Sequence, residues 1–137
     1  MAEPLILLRL MVEVENAAEA EAEARRVEAR IAGFGTVSRH NVEQYWKIPE
    51  FWEIALNLYP DGDALAAYER LIGMADAAWT LGEVSEEYED RWAVWNPAPG
   101  AELLTPLARW AHVELLPYGL GEPADPADFL DLDARDP

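Results

Sequence analysis

LILLRLMVEVENAAEAEAEARRVEARIAG, residues 5–33, changes its hydrophobic period once, and that change decides the fold class. Up to residue 15 the even positions Ile6, Leu8, Leu10, Val12 and Val14 are apolar, while the odd positions turn polar at Arg9, Glu13 and Glu15. Successive side chains of a strand point to opposite sides, so this is a strand with one buried face and a second face buried in part. Asn16 then stands at a helix N-cap with Glu19 three residues on, a capping-box arrangement. The run that follows is rich in strong helix formers. Ala20, Ala24, Val27 and Ile31 fall on one stripe, mostly alanine, which lets the helix lie close to a sheet. Gly33 reads as the residue that ends it, with Phe34 folding back on the last turn.

Working outward, residues 36–47 and 51–59 read as a strand pair. In the second, Trp52, Ile54, Leu56 and Leu58 oppose Glu53, Ala55, Asn57 and Tyr59. Ile48-Pro49-Glu50 makes the turn between them, since proline cannot donate to a central ladder. Pro60-Asp61-Gly62-Asp63 turns the chain into a second helix with Leu65, Tyr68, Ile72 and Ala75 as its stripe and Gly73 inside it. Trp79 and Leu81 are expected to return to the core. Residues 83–90 form an acidic linker, and 91–95 a strand. After an Asn-Pro-Ala-Pro-Gly turn, residues 107–116 form the last strand, in which Ala111, Val113 and Leu115 oppose Trp110, His112 and Glu114. The order predicts an α+β class. More finely, it predicts a ferredoxin-like βαββαβ antiparallel sheet with two helices on one face and an additional C-terminal strand. Residues 1–117 are expected to be a single domain, and 118–137 an acidic, Pro/Gly-rich tail.

The chain has 137 residues, 27 acids against ten bases for a net charge of −17, and no cysteine. That length suits one domain with a real core. The absence of cysteine excludes a disulfide frame and thiolate chemistry. No signal peptide or membrane-spanning run is legible, so a cytoplasmic location is expected. The charge repels nucleic acid and anionic membrane and favours a basic partner.

Catalytic signatures are sparse. The two histidines are His40 and His112, and the two serines are Ser38 and Ser85. His112 and Glu114 share a strand face and could orient an imidazole for base work, but such a pair is more often a surface cross-pair. No HExxH or nucleophile elbow occurs. The aspartates Asp128, Asp131, Asp133 and Asp136 lack the spacing of a calcium loop. Gly33-Phe34-Gly35 follows a helix rather than opening one, so it is no phosphate cradle. No metal and no cofactor is expected.

Recognition is what remains. Six tryptophans are many for this length, and tryptophan is enriched at binding hot spots. Trp52 and Trp79 hold core positions. Trp46, Trp92, Trp95 and Trp110 sit near strand ends or on mixed faces. The segment EVSEEYED, residues 83–90, has five acids in eight residues and runs directly into RWAVWNP, residues 91–97. An aromatic patch rimmed by Glu83, Glu86, Glu87, Glu89 and Asp90 would suit a basic protein: the acids steer the encounter and an aromatic anchor slows dissociation. Trp92 and Trp95 are the first candidate contacts. Trp110, His112 and Glu114 are the second.

In these stretches, RWAVWNP and RWAHVELLP (residues 109–117) with the acidic run before them, the chain resembles bacterial immunity proteins of polymorphic and contact-dependent toxin systems. The resemblance is one of class. It implies a small cytosolic inhibitor that binds a cognate toxin, frequently a nuclease, by covering its basic active site, and it carries over no individual residue. A monomer or homodimer is expected when free. The rival classes are a ferredoxin-like regulatory module that dimerises around a small molecule lined by Arg39 or His40, a small enzyme using His112 and Glu114, and a structural accessory protein.

Overall fold

The computed structural model describes residues 3–75, 78–84, 86–87, 89–97 and 101–119, with Arg39 described by its backbone only. Most of the expected tail, including its aspartates, lies outside the described residues.

The elements are β1 (Leu5–Glu13), α1 (Ala17–Ile31), β2 (Gly35–Gln44), β3 (Phe51–Pro60), α2 (Ala64–Ile72), β4 (Trp79–Leu81), β5 (Arg91–Trp95) and β6 (Ala108–Leu116). The fold is α+β, with a six-stranded sheet in the order β2-β3-β1-β6-β5-β4. Every neighbouring pair is antiparallel. This order departs from the ferredoxin-like expectation. The strand beside β1 is β6 rather than 91–95, and β4 is an added edge strand. The reason is length and pattern. β1 and β6 each run nine residues, whereas β5 has five. Leu115, Val113 and Ala111 stand opposite Ile6, Leu8 and Leu10 in register, so β6 alone completes the buried face of β1.

Both helices pack on that face. Ala24, Val27 and Ile31 of α1 and Ala67, Tyr68 and Leu71 of α2 join Ile6, Leu8, Leu10, Ile54, Leu56, Leu58, Val113 and Leu115 in one core. Burial pushes the Tyr68 phenol up to about 12, with Arg91 pulling it down and Glu114 pushing it up, so it stays protonated.

The Asn16 cap forms as the sequence implies: its side chain accepts from the Glu19 N–H at 2.9 Å, and Glu19 reaches back to the Glu15 N–H at 2.9 Å. Asp63 caps α2 by accepting from Leu65 N at 3.0 Å. The helix ends differ from expectation. A 3-10 turn, Ala32–Phe34, follows α1, and Gly33 faces open space. Gly35 is the glycine the fold requires, because a Cβ there would lie 2.2 Å from the Tyr59 carbonyl oxygen across the β2–β3 pair. Gly73 is the C-cap of α2 rather than an interior residue, and Ala75 lies past the helix. Trp79 packs on the core as expected, but Leu81 is 67 % exposed, because β4 is the sheet edge and ends there. No helix among the described residues is long and apolar enough to cross a membrane.

Candidate partner-binding site

Strand alternation sends Leu5, Leu7, Arg9 and Met11 of β1 to the face opposite α1 and α2, together with Trp92, Val94, Trp110, His112 and Glu114. Among the described residues no helix covers this face. Across it, Arg9 and Val94 stand in register with His112, while Leu7 and Trp92 stand in register with Glu114.

A row of flat side chains crosses the three strands. The rings of Trp110 and His112 stack at 6.2 Å and 11°. Trp92 lies on the other side of His112 at 6.3 Å and 30°. The Arg9 guanidinium sits 6.0 Å from the Trp110 centroid. It also donates twice to Glu53, from Nε at 3.1 Å and Nη2 at 2.9 Å, a bidentate pair that fixes its plane. Neither Arg9 nor Glu53 was a sequence candidate. The signal was available, since both occupy odd positions of facing strands, but only the register Met11↔Glu53 brings them within reach.

Beside this row opens a concavity of about 690 Å³. Trp92, Val94, His112 and Glu114 of β5 and β6 form its floor, and Glu83, Val84 and Asp90 from the segment between β4 and β5 line it further. Trp92 is held from beneath by backbone: the Gly82 N–H donates to the Trp92 carbonyl at 2.8 Å, and the indole lies so close that a Cβ at residue 82 would come within 1.9 Å of it. Three carboxylates and an indole therefore share one open cavity.

Five of the ten sequence candidates meet there: Glu83, Asp90, Trp92, His112 and Glu114. Trp110 adjoins it through its stack on His112. Glu86, Glu87 and Glu89 are exposed outside the lining, and Glu89 accepts from the Tyr118 hydroxyl at 3.3 Å. Trp95 is the correction. It is fully buried on the helix side, paired with Trp79, because it stands three positions after Trp92 and an odd offset reverses the face. It cannot touch a partner. The His112–Glu114 pair also departs from the surface reading, since the two are only 6 % and 4 % exposed.

The other histidine is spoken for within the fold. His40 of β2 bonds Glu21 through Nε2 at 3.0 Å and Glu28 through Nδ1, tying the edge strand to α1. Burial lowers its pKa, but the bonds to Glu21 and Glu28 and their charges outweigh this, so the net shift is upward. Trp46, at the β2–β3 turn, is 76 % exposed and lies away from the cavity's lining. Among the described residues, no group of three or more histidines, aspartates or glutamates could hold a metal ion.

No protein-family model, no curated protein and no solved structure matches this chain.

Proposed function

We propose that this chain is an acidic immunity protein, a non-enzymatic inhibitor that binds a cognate basic toxin in the cytoplasm and occludes its cationic active site. One observation carries the reading: Glu83, Asp90, Glu114 and Trp92, all singled out from the sequence, line a single cavity on the helix-free face. A net charge of −17 supplies long-range attraction, and Trp92, 38 % exposed over its glycine support, supplies an anchor. Within this reading we take β2-β3-β1-β6 with α1 and α2 as a split βαβ frame of ferredoxin-like type, and β4 and β5 as an insertion that builds the site.

The regulatory-module reading places Arg39 or His40 at a ligand, and of these His40 is engaged by α1. The enzyme reading has one observation in its favour, because His112 and Glu114 both line the concavity. His112→Ala separates the two: an enzyme would lose its activity, whereas an inhibitor would lose affinity modestly.

The deciding experiment expresses this chain with the product of the neighbouring gene. The expected result is a stoichiometric complex with a basic protein whose toxicity this chain suppresses. Replacing Glu83, Glu86, Glu87, Glu89 and Asp90 by Gln or Asn should then slow association, most of all at low salt. A chain that purifies alone and protects against nothing would remove the inhibitor reading.

A further inference from the structure

We infer that the cavity on the helix-free face is a seat for one arginine side chain of the partner protein, selected over lysine; this deepens the inhibitor reading and rests on it. The argument begins with what the molecule does with its own arginine. On the same face, Arg9 lays its guanidinium 6.0 Å from the Trp110 centroid and bonds Glu53 bidentately at 3.1 and 2.9 Å. The cavity repeats those ingredients one strand over. Trp92 provides an indole face, and Glu83, Asp90 and Glu114 provide carboxylates around it. Val84 and Val94 add apolar wall, and the His112 ring completes the lining.

A guanidinium fits this combination for physical reasons. It is planar and weakly hydrated, so it stacks on an indole at little desolvation cost while its edge donates to carboxylates. An ammonium is compact and strongly hydrated, and gains less from an aromatic, partly apolar wall. The volume of about 690 Å³ accommodates a whole arginine side chain with its bridging water. The occupant is charged oppositely to its seat and to the chain as a whole, whose net charge is −17. A basic active site that binds phosphates would present such an arginine, so seating it blocks the site directly.

The test titrates the full chain with nona-arginine and with nona-lysine, peptides of equal charge, by calorimetry at about 0.15 M salt. Nona-arginine should bind on the order of tenfold more tightly. That preference should collapse to about twofold or less in Trp92→Ala and in the surface variant Glu83→Gln/Asp90→Asn. Gly82→Ala, whose new methyl collides with the indole, should weaken the preference while leaving Trp92 in the chain. Equal affinities for the two peptides, unchanged by Trp92→Ala, would overturn the arginine seat yet leave a basic partner in place, held by diffuse charge alone. Binding of neither peptide would overturn the seat and take the attraction to basic partners with it.

Discussion

On the face under α1 and α2, the buried residues of β1, β3 and β6 are aliphatic throughout, from Ile6, Leu8 and Leu10 to Ile54, Leu56, Val113 and Leu115. On the opposite face the same central strands bury Leu5 and Met11 but also His112 and Glu114, to 6 % and 4 % exposure. Depth is similar and chemistry is not. The aliphatic face is specified by the hydrophobic effect alone, at about 25 cal/mol for each Å² removed from water. A carboxylate sunk to the same depth costs solvation that its partners must return, so Glu114 adds less to stability than an aliphatic side chain would there. Under the proposed function, folding falls to one face and recognition to the other.

Two tryptophans on one strand test that division most severely. Trp95 is fully buried on the helix side, and Trp92 is 38 % exposed at the cavity. Trp95→Ala should cost about 3–5 kcal/mol in urea unfolding. The loss is tempered by the Trp95 indole N–H, which is buried with no acceptor among the described residues. Trp92→Ala should cost less than about 1 kcal/mol while abolishing most partner affinity. Comparable stability losses at the two positions would show that the helix-free face is core as well.

One polar pair on the helix side sharpens the comparison. Glu23 of α1 is 5 % exposed and Thr105 is 1 % exposed, and the Thr105 hydroxyl donates to Glu23 Oε1. Glu23 also pairs with Arg26 at 3.3 Å, and the Thr105 oxygen accepts from Leu107 N at 3.2 Å. This knot pins the segment before β6 against α1. Thr105→Val keeps the shape and deletes the hydroxyl, so it should destabilise by about 1–3 kcal/mol by leaving a buried carboxylate oxygen without its donor. A variant as stable as the parent would mean that water reaches Glu23 and that the helix side is less dry than its aliphatic lining implies.

What the sequence disclosed follows the same division. The even positions of 5–15, the Ala20–Ile31 stripe and the Asn16 cap all read correctly, because each depends on neighbours in the chain. The alternation in 91–95 also carried the face of each tryptophan. Trp95 was misassigned because aromatic character was weighed above parity. The order of strands was not legible. It depends on which of two late strands matches β1 in length and register, and the nine residues of β6 decide that only once paired. The bidentate Arg9–Glu53 contact and the His40 bridge depend on registers between distant segments, so no local spacing announces them. Of the five acids of the run, only Glu83 and Asp90 line the cavity.

The smallest effect separates the two histidines. His112 is enclosed on the helix-free face, whereas His40 sits at the border of the helix side between Glu21 and Glu28, opposite the uncharged Leu56 in β3. Its folded pKa lies above the ordinary 6.5, because the two glutamates outweigh burial. A raised folded pKa means that the protonated imidazole is the stabilised form. Its contribution is therefore complete below about pH 6.5 and fades as pH climbs through the raised value. Both glutamates are partly exposed, at 42 % and 30 %, so solvent screens the bridge and its worth is about 0.2–1 kcal/mol. His40→Gln should lose that amount at about pH 6 and almost nothing at about pH 9, measured as the difference between the two unfolding free energies. Taking the difference cancels every group that the two proteins share. A gap that stayed constant with pH would mean that His40 holds β2 to α1 by shape rather than by charge.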